Sequence, residues 1–91
     1  MADEQLHADG LPQVTFLRHL FELAQQTAIA LGEVENPITK TRETNLPAAR
    51  YIIDTVAMLK DKTEGQRTDE EEQYIVGILA YLRLSFVNKS K

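Results

Sequence analysis

Hydrophobic residues recur with helical spacing in three stretches of this chain. The first stretch begins after Thr15, a residue type that commonly caps a helix N-terminus. Its apolar residues then repeat at intervals of four and three positions as far as Leu31. Gly32 follows directly, and glycine often ends a helix. The pattern predicts a first helix over residues 16–31, with one apolar face and one polar face.

The second stretch has boundary signals of the same kind. Asn45 is a typical N-cap, and Pro47 falls in the first turn, where its missing N–H costs no hydrogen bond. Apolar positions recur on one face up to Thr63, and Gly65 follows as a stop signal. These signals predict a second helix over residues 46–63.

The segment between the first two helices, residues 33–44, has a proline in its middle and no helical period. Such a connection is long for a small helical domain, and long loops often have a function of their own. Two interpretations therefore stay open: a crossover that spans one end of the bundle, and a binding loop.

The third stretch has the clearest start. Thr68 and Glu71 have the spacing of a capping box. The acidic residues at 69–72 place negative charge at the positive end of the helix, which accounts for them without a catalytic or cation-binding role. Eleven of the fourteen residues from 74 to 87 are apolar. We predict a third helix over residues 69–87, apolar around most of its circumference and central in the fold.

Two companion helices can cover only part of such a helix. We therefore predict an all-α, three-helix bundle-like domain that is completed by dimerisation through an isologous interface. Gly77 has no side chain to hold a neighbouring helix away, and tyrosine rings combine apolar area with a polar tip. The predicted oligomer interface consists of Tyr74, Gly77, Ile78, Tyr81 and Leu84.

Arg83 lies between two leucines in this most apolar stretch, where an unpaired buried charge is costly. We predict that Asp54, on the second helix, is its partner in a buried ion pair. Surface exposure of Arg83 at the rim of the bundle is the alternative.

The chain length, net charge and composition limit the class of protein further. Ninety-one residues make one domain, and we expect a flexible lead-in at 1–13, a helical domain at 14–88 and a frayed tail at 89–91. The net charge of −4 argues against nucleic acid and anionic membranes as partners. The longest apolar run is too short to span a membrane. With no cysteine and no signal peptide, we expect a cytoplasmic protein.

Candidate chemistry is sparse. His19 and Glu22 have i, i+3 spacing but lack a third metal ligand at helical spacing, and His7 lies in the lead-in. The sequence contains no glycine-rich phosphate loop after a strand and no hydroxyl with a credible histidine–carboxylate pair. We therefore expect no catalytic, cofactor-binding or metal-binding residues.

Several segments resemble a bacterial family catalogued as domain of unknown function eighteen-forty-four. They are LGEV at 31–34, NL at 45–46, IDTVAMLKDKTEG at 53–65, T-x-E-E-E from Thr68 and LRLSFV at 82–87. The resemblance runs from about Val14 to Asn88, and Gln66-Arg67 depart from the Asn-Leu expected after the glycine. It implies a short, cytoplasmic, helical protein and supplies no catalytic residue, cofactor or substrate.

The sequence therefore favours a non-enzymatic interaction or scaffold module that works as a homodimer, with another protein as a second candidate partner. The alternative is a helical domain that binds a small molecule or lipid in a pocket between its helices.

Overall fold

Three α-helices organise the part of the chain that the structure, a computed structural model, describes, residues 10–91. Helix α1 spans Phe16–Ala30, α2 spans Leu46–Lys62 and α3 spans Asp69–Ser90. The predicted all-α, three-helix bundle-like fold is confirmed, and the bounds of α1 and α2 agree with the predicted ones to within one residue. Most of the predicted lead-in, residues 1–9, and with it His7, lies outside the described residues.

Side-chain caps fix where each helix begins. The Thr15 hydroxyl accepts a hydrogen bond from the Arg18 N–H at 3.0 Å, and the Asn45 side chain accepts one from the Ala48 N–H at 3.1 Å. At α3 the predicted capping box is present: the Thr68 hydroxyl accepts from the Glu71 N–H at 3.1 Å, and the Glu71 carboxylate accepts from the Thr68 N–H at 2.9 Å.

The end of α1 follows the predicted glycine stop. Gly32 has a φ of 75° and donates its N–H to the Ile29 carbonyl at 3.0 Å, while the Glu33 N–H reaches the Ala28 carbonyl at 2.9 Å. This pair of bonds is a Schellman motif, which satisfies carbonyls that the end of the helix leaves free.

The predicted frayed tail is wrong for two of its three residues, because α3 continues through Lys89 to Ser90. No glycine or proline interrupts the chain there, and the Ser90 hydroxyl donates to the Val87 carbonyl at 3.0 Å. A basic residue in the last turn also suits the negative end of the helix.

The core lies where the three helices meet. Seven buried residues form it, and each helix contributes at least two: Leu20, Leu23, Ile53, Val56, Ile75, Leu79 and Leu82. Helix α2 has the more extensive contacts with both of the others, so the prediction that α3 is central is wrong. Among residues 10–91, the other two helices cover α3 on one side only.

The 33–44 loop is closed at its base. The Asn45 N–H donates to the Ala30 carbonyl at 2.7 Å, and the Thr44 hydroxyl donates to the Leu31 carbonyl at 3.4 Å. Within the loop, the Asn36 side chain accepts from the Ile38 N–H at 2.8 Å, an Asx turn. The loop thus leaves and returns at the end of α1.

Replacement of Gly32 by alanine should destabilise the protein by more than about 2 kcal/mol. The left-handed φ alone costs an L-residue roughly 1–2 kcal/mol, and a Cβ at Gly32 would also lie 2.8 Å from the Thr44 hydroxyl oxygen. Gly65 is the matched control, because its φ is 81° but a Cβ there meets nothing within 4 Å. Urea unfolding measures the loss of stability in Gly32→Ala and in Gly65→Ala. Equal losses in the two variants would contradict the contact with Thr44.

Candidate interaction surface on the third helix

Helix α3 presents one face to the core and an opposite face to solvent. Ile75, Leu79 and Leu82 are buried against α1 and α2. On the opposite side, the exposed residues are small or apolar for about three turns. These residues, which we call the outer face of α3, are Val76, Gly77, Ala80, Tyr81, Leu84 and Val87.

The large apolar side chains of the outer face are more than 40% exposed. Tyr81 is 57% exposed, Leu84 is 60% exposed and Val87 is 51% exposed. They follow one another at intervals of three residues, so they are neighbours on the helix surface. Single exposed hydrophobic residues are normal in soluble proteins, but a contiguous group of them is typical of an interaction site.

Gly77 lies in the middle of α3, where no contact with the rest of residues 10–91 requires a glycine. A Cβ at this position would meet nothing within 4 Å, so no neighbouring element of the described chain approaches there. A glycine inside a helix costs about 0.5–1 kcal/mol relative to alanine. The residue therefore destabilises α3 without any packing contact in the described structure to offset the cost.

The five residues predicted for the interface fall into two groups in the structure. Gly77, Tyr81 and Leu84 are on the outer face. Tyr74 and Ile78 instead pack, partly buried, against the core of their own chain, so they do not belong to this face. Core residues of α3 lie three positions before Ile78 and four positions after it, next to it on the helix surface, and Tyr74 lies four positions before Ile78.

The sequence analysis missed three members of the outer face, Val76, Ala80 and Val87. A signal for two of them was present: Gly77, Ala80, Leu84 and Val87 are spaced by three, four and three residues, as in the seam of a coiled coil. That pattern is offset from the core stripe of the same helix, so one helix contains two apolar stripes.

The predicted buried ion pair between Asp54 and Arg83 is wrong. Both residues are exposed, and Asp54 pairs with Arg50, one turn earlier on α2, at 3.9 Å. Arg83 adjoins the outer face rather than the core, so water solvates its charge and no buried partner is required. The alternative of surface exposure is the correct one.

A different arginine forms the polar cluster of the structure. The side chain of Arg67, between α2 and α3, is only 4% exposed. Its Nη1 donates to the Lys60 carbonyl at 2.6 Å and to the Thr63 hydroxyl at 2.9 Å, and its Nε donates to the Glu72 carboxylate at 2.8 Å. This hydrogen bond to Glu72 is the main reason that the pKa of Arg67 is raised.

Arg67 therefore joins the C-terminal end of α2 to the first turn of α3. Nη2 completes the arrangement, since it lies 2.6 Å from a Glu72 oxygen and 3.4 Å from a Glu64 oxygen. Each nitrogen of the guanidinium has a partner in the chain itself, so the cluster is structural. The sequence signal was the basic residue at 67, two positions past the Gly65 stop and within reach of the free carbonyls at the end of α2.

Two further properties were searched for among the described residues. No three His, Cys, Asp or Glu side chains within residues 10–91 are grouped so that they could hold a metal ion. Over the same residues, no helix combines the length and the apolar character that crossing a membrane requires.

The fold and the outer face define a small all-α domain of three helices with one uncovered apolar helix face. Residues 13–88 match the model of the family described as Domain of unknown function (DUF1844), and the chain belongs to that family. The resemblance noted in the sequence is thereby confirmed. No curated protein and no solved structure matches the chain.

Arg67→Leu should lower the urea midpoint of unfolding, because it leaves the Lys60 carbonyl and the Glu72 carboxylate without their shared partner. Leucine is also the residue that the family resemblance leads us to expect here. Arg50→Leu is the matched control, since it removes an exposed pair of the kind that contributes little. Equal midpoints for the two variants would contradict the structural role of Arg67.

Ionisation of the Tyr74 phenol should make the protein less stable at alkaline pH. Burial raises the pKa of Tyr74 above its ordinary value of 10.0, so the folded chain holds the phenol proton more tightly than the unfolded chain does. The resulting stabilisation is complete below pH 10 and is lost as the pH rises through the higher pKa of the folded state. We expect stability above pH 10 to fall more steeply in the unmodified protein than in Tyr74→Phe, as measured by urea unfolding across a pH series. Parallel curves would contradict the burial of Tyr74.

Proposed function

We propose that this protein is a non-enzymatic interaction module that works as a homodimer, and that the outer face of α3 is its docking surface. The observation that carries the proposal is the contiguous exposure of Tyr81, Leu84 and Val87 on one side of a helix whose other side is already packed. A second protein that docks on the dimer is a further candidate partner.

The energy available from this face is moderate. Burial of a Val or Leu side chain that was fully exposed contributes about 1.5–3 kcal/mol, so a half-exposed one contributes roughly half of that. Several such side chains from each copy give a total of the same order as the cost of association, about 4–15 kcal/mol. We therefore expect a reversible dimer whose population changes with protein concentration.

Other classes of function have less support. The most buried charged group, Arg67, is engaged by its own chain on every nitrogen, which leaves it no donor for a substrate. Between the helices, Leu20, Val56 and Ile75 are completely buried, as in a filled core rather than a pocket for a small molecule or lipid.

The chemistry of the surface also bears on partners and location. A net charge of −4 opposes binding to nucleic acid and to anionic membranes, whose recognition depends on basic residues. The absence of cysteine suits a reducing compartment, and we place the protein in the bacterial cytoplasm.

Leu84→Glu should weaken self-association at least tenfold, because a carboxylate placed in an apolar contact loses its hydration without gaining a partner. Tyr51→Glu is the matched control: Tyr51 is 76% exposed, but it lies on α2, away from the outer face. Glutamate is a good helix former, so both variants should fold. Sedimentation velocity over a micromolar-to-millimolar concentration series measures the effect.

A single monomeric species for the unmodified protein at every concentration would overturn the proposed homodimer. Equal association by Leu84→Glu and the unmodified protein would show that the dimer uses another surface.

A further inference from the structure

We infer that the second copy docks on the outer face with its own α3 running in the opposite direction, so that the dimer contains an antiparallel helix pair. This inference rests on the proposed function, because it specifies the geometry of the proposed homodimer. Three independent features of α3 support it: the spacing of its exposed residues, the order of their sizes and the order of the charges around them.

The spacing on the outer face is that of a two-helix seam. Gly77, Ala80, Leu84 and Val87 alternate by three and four residues, and the same alternation continues to Glu70 and Gln73 at one end and Lys91 at the other. Helices packed through such positions cross at a shallow angle and stay in contact over many turns. From residue 70 to residue 91 the seam is about 32 Å long, at ~1.5 Å per residue.

The sizes of the seam residues increase along the helix. Gly77 and Ala80, in the first half, are small, whereas Leu84 and Val87, in the second half, are large. In an antiparallel pair the small half of each helix faces the large half of the other, so the surfaces fill evenly. In a parallel pair Gly77 faces Gly77 and leaves a gap, while the leucines meet each other and hold the helices apart.

The charges beside the seam also change along the helix, from acidic at its start to basic toward its end. Asp69 and Glu70 are in the first turn of α3, whereas Arg83 lies in its second half and Lys91 is the residue at its C-terminal end. An antiparallel pair brings the acidic end of one helix to the basic end of the other, whereas a parallel pair places like charges together. Exposed pairs of this kind contribute little energy each, but they select one orientation over another.

The antiparallel geometry also gives Gly77 a role. In the described part of its own chain, no contact requires a glycine at this position. Opposite the larger Leu84 and Val87 side chains of a second copy, the absence of a Cβ allows the two helix backbones to approach closely. The cost of glycine to α3 is then offset in the dimer.

Crosslinking through introduced cysteines tests the relative direction of the two α3 helices. The chain has no cysteine of its own, so only the introduced residue reacts. The variants are Ala80→Cys, Gln73→Cys and Asn88→Cys, each treated with a short bis-maleimide crosslinker. In an antiparallel pair centred near residue 81, the two copies of residue 73 are about 24 Å apart, whereas residue 73 of one copy lies beside residue 88 of the other.

We expect Ala80→Cys to crosslink alone, and Gln73→Cys and Asn88→Cys to crosslink only when mixed. Tyr51→Cys, on α2, is the control for random collision. Crosslinking of Gln73→Cys with itself would indicate a parallel pair and overturn this inference, while the proposed homodimer would stand. A dimer in sedimentation whose Ala80→Cys variant gives no more product than Tyr51→Cys would likewise overturn it. A monomer in sedimentation would overturn both.

Gly77→Leu tests the close approach separately. Position 77 is open in the chain itself, so this variant should fold with undiminished stability at dilute concentrations. In the dimer it replaces the small residue that faces a large one, and overpacking of that kind should weaken association about tenfold or more. Val76→Leu, beside the seam on the same face, is the matched control. Unchanged dissociation constants for Gly77→Leu would overturn the close approach at Gly77.

Discussion

The structure depends on a mismatch between one long apolar helix and the two shorter helices that cover it. Helix α3 has 22 residues, whereas α1 has 15 and α2 has 17, and both pack on the same side of it. That side supplies Ile75, Leu79 and Leu82 to the core. Helix α3 is apolar on its other side as well, and within residues 10–91 that side faces solvent.

The contacts at the first turn of α3 determine which side of the helix faces solvent. Thr68 and Glu71 fix its first turn through reciprocal capping, and Arg67 links Glu72 to the Lys60 carbonyl near the end of α2. These contacts set the rotation of α3 about its own axis at the point where it leaves α2. In this orientation Leu79 faces the core and Leu84 faces solvent.

The helices were predictable because their boundaries are local. Asn45, Thr68 and Gly32 act on atoms a few residues away, so sequence spacing is enough to place them. The assignment of faces on α3 was harder, since a helix with two apolar stripes has no single direction of amphipathicity, and Tyr74 was placed on the wrong side. The role of Arg67 was missed, and Asp54 was assigned the wrong partner. Contacts of this kind depend on how one helix packs against the next, and the periodicity of a sequence does not show that.

Two features of α3 are not explained by the contacts among residues 10–91, and they occur on the same face. Tyr81, Leu84 and Val87 are more than half exposed, so polar residues in their places would leave the core intact. Gly77 weakens the helix although alanine would fit there without a contact. In the proposed dimer, any apolar partner accounts for the hydrophobic exposure, whereas only a partner whose backbone comes close accounts for the glycine as well. A second α3, running in the opposite direction, meets both requirements, because it offers large side chains to the small half and small residues to the large half.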